Sequence, residues 1–150
     1  MRILFISTAL PPNFESQTIR NLYLIKGLQD AGHIVDGVKN ITTHNDESLI
    51  KILPEGLNIL NIKNGWYLKL RNWVSLRNIY FLNRIFDVLG PLLIIPDLNA
   101  GWSKIVIKDK NLLDLSRKCD LIISASGSYE AHLAGLYLSK TYQKPLICEM

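Results

Sequence analysis

The stretch MRILFISTALPP, residues 1–12, decides the fold of this 150-residue chain. Its apolar part, Ile3 to Ser7, is short and uninterrupted, and Thr8 and the Pro11-Pro12 pair bound it. A strand with one face in water alternates apolar and polar residues, so an uninterrupted run predicts a strand covered on both faces, as in a parallel sheet. Because no small-residue cleavage site follows, we interpret the run as a buried strand and not as a secretory signal.

Strand-like and helix-like segments alternate along the rest of the chain. The further predicted strands are Ile34–Val38, Leu57–Ile62, Leu121–Ala125 and Pro145–Glu149. The predicted helices run from Ser16 or Thr18 to about Ala31, from Leu49 to Leu53, from Gly65 to near Gly90, from Trp102 to about Lys118, and from Glu130 to Tyr142. This alternation predicts one α/β domain, residues 1–150, with a mainly parallel sheet and helices on both faces. Ligands of such sheets bind beyond the carboxyl ends of the strands, which selects the loops 8–16 and 126–130.

The composition is that of an ordinary globular domain, with 48% apolar and 20% charged residues, and it excludes disordered and low-complexity classes. Cys119 and Cys148 have no metal-ligand spacing and cannot form a disulfide framework, so they are predicted to be free thiols in a reducing compartment. Apolar runs fall far short of the roughly 20 residues that a bilayer helix needs. We therefore expect a cytoplasmic protein.

The net charge of +4 is concentrated in one block. Residues 63–84 contain five basic and no acidic residues, which leaves 12 basic and 13 acidic residues elsewhere. This distribution argues against a surface that coats nucleic acid. At 100° per residue, six side chains of this block fall within an arc of roughly 80°, opposite an aliphatic side. These six define the basic-aromatic face: Trp66, Lys69, Trp73, Arg77, Tyr80 and Arg84.

Such a face suits the headgroup level of an anionic membrane. Two other interpretations stay open for it. The aliphatic side alone explains a helix docked on the domain with a solvated basic face. A protein partner such as a second domain also covers exposed tryptophans.

Several catalytic and cofactor motifs are missing from the sequence. The loop after the first strand has no glycine, so neither a dinucleotide fingerprint nor a phosphate-binding P-loop is present. A weaker phosphate or hydroxyl contact through residues 16–18 competes with simple helix capping. Residues 124–128 lack the glycine pattern of a hydrolase nucleophile, and the three histidines share no metal spacing. No metal is expected, and for His132 a packed or solvated role is favoured over a ligand role.

The order of weak motifs resembles the N-terminal half of a GT-B glycosyltransferase of the large retaining family 4. The first strand, the proline-containing loop and the Gly32-His33-Ile34-Val35 turn recur in that family in this order. The later segments 119–124, 132–134 and 144–147 resemble its fourth strand, following helix and fifth strand, and Pro96-Asp97 followed by Trp102 also has relatives there. The similarity covers most of the chain except residues 40–90.

The resemblance implies a Rossmann-like three-layer α/β/α domain, the acceptor side of a two-domain GT-B architecture. The donor-binding C-terminal domain, with paired glutamates and the nucleotide sugar, is absent from residues 1–150, so this domain alone is expected to hold no cofactor and to transfer no sugar. Asn13 and Phe14 stand where the family often has two glycines, and Ser126 to Ser128 where it often has a histidine. The catalytic residues are therefore unknown, and only the location of the acceptor site is carried over: Asn13, Glu15, Ser16, Ser126, Ser128 and Tyr129.

The sequence is compatible with two functions, one as part of an enzyme and one as a binding module. The first is the acceptor-binding domain of a transferase in polysaccharide biosynthesis, which moves a sugar from a nucleotide-sugar donor to a glycan or a lipid-linked acceptor. Its partners are the missing domain, the acceptor and an anionic membrane at the cytoplasmic face, with no nucleic acid. The second is a stand-alone, non-catalytic module of Rossmann-like or flavodoxin-like fold that binds a small ligand or a protein at the same strand ends.

Overall fold

The computed structural model describes residues 1–13, 16–41, 47–77, 81, 84 and 99–150. Five strands are β1 (Arg2–Ile6), β2 (Ile34–Asn40), β3 (Asn58–Ile62), β4 (Leu121–Ala125) and β5 (Leu146–Glu149). Five helices of the described part are α1 (Ser16–Asp30), α2 (Trp66–Leu76), α3 (Trp102–Val106), α4 (Lys110–Lys118) and α5 (Tyr129–Tyr142). A single 3-10 turn covers Glu47–Leu49.

The strands form one parallel sheet in the order β3-β2-β1-β4-β5. Ile3 of β1 pairs with Val35 on one side and Leu121 on the other, which makes β1 the central strand. The order reverses between β1 and β4, as in Rossmann-like folds, whereas flavodoxin-like sheets have the order 2-1-3-4-5. The predicted α/β fold with a parallel sheet is confirmed.

Alternate residues of β1 enter two separate cores, which explains its uninterrupted apolar sequence. Ile3 and Phe5 pack on one face of the sheet with Ile25 of α1. Leu4 and Ile6 pack on the other face against α3, α4 and α5. Trp102 of α3, which is fully buried, is the largest side chain in this second core. The domain therefore has three layers, with the sheet in the middle.

Three predicted helices differ from the observed ones. The helix predicted from Gly65 to near Gly90 ends as α2 at Leu76, and Arg77 is in a turn. The segment from Trp102 to Lys118 is two helices and not one, because the Asp109 side chain accepts hydrogen bonds from the backbone N–H groups of Asn111 and Leu112 and so begins a new helix. The predicted helix from Leu49 to Leu53 does not form: the 3-10 turn Glu47–Leu49 ends where it should begin, and residues 50–53 are turns and a bend. Most of the predicted helix beyond Arg77 lies outside the described residues.

Helix α2 turns one face inward. Tyr67 and Val74, two turns apart, are each 2% exposed, and Tyr67 packs near Ala100. None of the helices among the described residues combines the length and the apolar sequence needed to span a bilayer.

Candidate functional site

The loops that follow β1 and β4 meet where the strand order reverses. The Ser7 hydroxyl donates to the backbone oxygen of Ser126 over 3.4 Å, which joins the two loops. Gly127 has a φ of 135°, and a Cβ there would lie 3.0 Å from Oγ1 of Thr8. The backbone conformation and this close approach both require glycine. The backbone of Ser126 and Gly127 therefore lies in direct contact with the loop after β1.

A cavity of about 250 Å³ opens beside this junction, between the amino ends of α1 and α5. Its lining combines hydroxyl groups, an amide and an imidazole and includes no side chain with a formal charge at neutral pH. The lining residues are Gln17, Ser126, Gly127, Ser128, Tyr129, His132 and Met150. Such a set of neutral donors and acceptors suits a ligand with many hydroxyl groups.

The amino end of α5 is fixed by two side chains. The Ser128 hydroxyl caps the helix by accepting a hydrogen bond from the backbone N–H of Glu130. The Glu130 carboxylate, 4% exposed, accepts hydrogen bonds from the N–H groups of Gly101 at 3.1 Å and Ser103 at 2.8 Å. Glu130 thereby caps α3 from a neighbouring helix and holds α3 and α5 together.

The loop after β1 is tied down by asparagines. The Asn21 amide of α1 donates to the Ser7 hydroxyl and to the Ala9 backbone oxygen. The Asn13 amide donates to the backbone oxygen of Thr8 over 2.7 Å. These bonds satisfy buried backbone groups of a loop that has no glycine of its own. The loop is therefore held in one conformation behind the residues that line the cavity.

Lys39 of β2 lies in the interior behind this loop. Lys39 is only 3% exposed, and its ammonium donates a hydrogen bond to Oδ1 of Asn13 over 2.9 Å. No carboxylate in the described part of the chain pairs with it. Burial lowers the pKa of Lys39 from 10.5 to about 8, because desolvation disfavours the charged form.

A second group of polar side chains, in which only Ser124 is fully buried, joins β4, α5 and β5. Oγ of Ser124, which is fully buried, is 2.8 Å from Nδ1 of His132 and 3.5 Å from Sγ of Cys148. Burial lowers the pKa of His132 below 6.5, so the imidazole is neutral at pH 7. His132 also lines the cavity, which brings this group into contact with the candidate site.

The structure brings together three of the six predicted acceptor-site residues. Ser126, Ser128 and Tyr129 line the cavity, and Tyr129 is 65% exposed. Ser16 is exposed at the start of α1, next to the cavity residue Gln17. Asn13 is 2% exposed and holds the loop, and Glu15 lies outside the described residues.

Sequence reasoning named Gln17 in the segment 16–18 as a phosphate or hydroxyl contact, favoured a packed or solvated role for His132, and missed the burial of Lys39. The signal for Gln17 was its place in the first turn of a helix at the carboxyl edge of the sheet. Lys39 sits in a strand that was predicted to end at Val38, so no pattern marked its side chain as buried. His132 is marked only by its contact with Ser124, which is visible in three dimensions.

Half of the basic-aromatic face, Trp66, Lys69 and Trp73, lies on α2, and these three side chains are exposed. Trp66 is 61% and Trp73 47% exposed, and the Arg77 guanidinium stacks on the Trp73 ring at 4.4 Å. Lys69 and Arg84 are also exposed. Tyr80 lies outside the described residues. Five of the six predicted residues are therefore on the surface.

The part of the chain that the structure describes holds no group of three or more potential metal ligands. No protein-family model matches the chain, and a search of characterised proteins finds no similar one. Evidence for the function therefore comes from the geometry of the site and from the motifs of the sequence.

Proposed function

We propose that this chain is the acceptor-binding domain of a nucleotide-sugar-dependent glycosyltransferase. The observation that carries the proposal is the cavity at the reversal of the strand order, whose lining includes Ser126, Ser128 and Tyr129 and no formally charged side chain. Hydroxyl, amide and imidazole groups at fixed positions are the partners that sugar hydroxyls need. In this proposal a second, donor-binding domain or chain supplies the nucleotide sugar.

The loop after β1 supports a sugar over a dinucleotide as the ligand. A pyrophosphate binds where glycines let backbone N–H groups approach it closely, and residues 7–13 contain none. The Asn13 and Asn21 amides instead fill the space behind that loop with hydrogen bonds to Thr8 and Ala9. The order of motifs that resembles family 4 glycosyltransferases points the same way.

Saturation-transfer NMR on the purified chain tests the proposal. The ligands are methyl glycosides of common hexoses, a nucleotide sugar and flavin mononucleotide, each at millimolar concentration. We expect saturation of one or more glycosides, and its loss when Ser126 and Ser128 are both replaced by alanine. The matched control replaces Ser103 and Ser139, which lie outside the cavity lining. Saturation of the flavin or nucleotide alone would instead support a non-catalytic nucleotide-binding module.

We further propose that the basic-aromatic face binds an anionic bilayer and so brings the domain to a lipid-linked acceptor. Exposed tryptophans with lysine and arginine match a headgroup region of negative charge. The block of residues 63–84 supplies five positive charges with no acidic residue, whereas the rest of the chain is nearly neutral. The charge of the face therefore complements that of the proposed surface.

Co-sedimentation with vesicles tests this part. We expect binding to vesicles of mixed neutral and anionic phospholipid that weakens with salt, and little binding to neutral vesicles. Trp73→Ser with Arg77→Gln should reduce the binding. Tyr137→Ser with Lys140→Gln is the matched control, because Tyr137 has the same 47% exposure as Trp73 and the change in charge is the same. Equal binding by the two double variants would contradict the membrane role and favour a protein partner.

A further inference from the structure

His132 is held against the sheet by the close packing of α5 on β4. A Cβ at Gly135 would lie 3.1 Å from Cβ of Ser124, so only glycine gives this spacing without displacement. His132 lies one turn earlier on the same helix, and its Nδ1 reaches Oγ of Ser124 at 2.8 Å. Since Ser124 is fully buried on a central strand, the imidazole has a fixed position at the cavity wall.

The hydrogen-bond network assigns the tautomer of His132. A serine hydroxyl has one proton, and Ser124 donates it to Sγ of Cys148 over 3.5 Å. With the Ser124 proton directed to Cys148, Nδ1 of His132 carries a proton and donates to Oγ of Ser124. Burial lowers the pKa of His132 and so favours the neutral ring, in which Nε2 then has no proton and is a hydrogen-bond acceptor.

We propose that His132 is a ligand-binding residue of the cavity, and that its Nε2 accepts a hydrogen bond from a hydroxyl of a bound neutral saccharide. The inference rests on the proposed function, which makes a saccharide the ligand. The other lining side chains carry no formal charge, and the serine and tyrosine residues among them offer hydroxyl groups to a saccharide. A volume of about 250 Å³ equals about eight liquid waters, which accommodates one sugar ring.

Two substitutions separate the roles of the ring nitrogens. His132→Asn keeps a donor near Nδ1 for Ser124 but removes Nε2, whereas His132→Gln places a polar group near Nε2. The probe is whichever methyl glycoside binds the wild-type chain, titrated by NMR. We expect affinity to fall about fivefold in His132→Asn, the loss of one neutral hydrogen bond, and less in His132→Gln. His33→Asn is the control. His33 directly precedes β2, at the amino ends of the strands and away from the cavity, so this variant should bind the glycoside as the wild type does.

The ¹⁵N resonances of the His132 ring provide a readout that a purely structural role would not move. We expect Nε2 to have the shift of an unprotonated nitrogen and to change when the glycoside saturates the protein. Equal glycoside affinity in wild type and His132→Asn, or a proton on Nε2, would overturn this inference while leaving the proposed function intact. If no glycoside binds the wild-type chain, the proposed function and the inference fall together.

Discussion

Replacing Lys39 by methionine tests whether the domain holds an ammonium group in its interior at a cost to stability. At pH values below about 8, Lys39 is charged in both the folded and the unfolded chain. The depression of its pKa from 10.5 to about 8 then corresponds to a destabilisation of about 3 kcal/mol. Between these two pH values the folded protein releases a proton that the unfolded chain keeps, so stability rises with pH.

The assay is urea unfolding of both proteins from pH 7 to pH 10.5. We expect the free energy of unfolding of the wild type, minus that of Lys39→Met, to increase by about 3 kcal/mol across this range. Methionine also removes the hydrogen bond from Lys39 to Oδ1 of Asn13, which shifts the difference at every pH by about 1–3 kcal/mol. The change with pH, and not the value at one pH, is therefore the test.

Lys26→Met is the control, because Lys26 is exposed on α1 and the same charge is removed. Its difference from the wild type should change far less with pH than that of Lys39→Met. A difference for Lys39→Met that is independent of pH would refute the reasoning. It would mean that the ammonium of Lys39 retains its hydration in the folded protein.

Three further predictions concern the elements around the cavity. Glu130→Ala removes the carboxylate that accepts hydrogen bonds from the N–H groups of Gly101 and Ser103. The free energy of unfolding in urea should therefore fall by about 3 kcal/mol. It should fall by less in Glu130→Gln, which keeps one acceptor oxygen. Gly135→Ala forces a Cβ to 3.1 Å from Ser124 and should lower the melting temperature, whereas Gly27→Ala, where a Cβ meets nothing within 4 Å, should raise it through a gain in helix propensity of up to about 1 kcal/mol. Burial lowers the folded-state pKa of His132, so its NMR titration should have a midpoint below 6.5. The contribution of the neutral imidazole to stability should be complete above pH 6.5 and be lost as the pH falls through the lowered pKa. A midpoint at or above 6.5 would contradict this.

The sheet was largely predictable because its strands are covered on both faces. Leu121–Ala125 was predicted with its observed bounds, since both faces of β4 contact apolar layers and every residue of the run is apolar or small. The sequence around Ile34 predicted a strand two residues shorter than β2, because Lys39 and Asn40 are polar. Their burial depends on partners from other segments, which a local pattern does not contain.

The helix boundaries and the site were harder to predict for the same reason. Asp109 is an N-cap residue by type, yet the apolar positions on either side of it continue with helical spacing and hid the break. Gly127 and the neighbouring serines marked a loop that does line the cavity, and ligand binding there stays a prediction. The roles of Glu130 and His132 depend on contacts with α3 and β4, which only the folded chain brings together.

Mapping saccharide binding on the amide NMR spectrum tests the central claim most directly. The isotope-labelled chain is titrated with the methyl glycosides, and every resolved amide is followed. The account predicts shifts confined to the loops after β1 and β4, residues 7–10 and 126–129, and to the amino ends of α1 and α5. Absence of shifts with every glycoside, or shifts confined to the surface of α2, would contradict it.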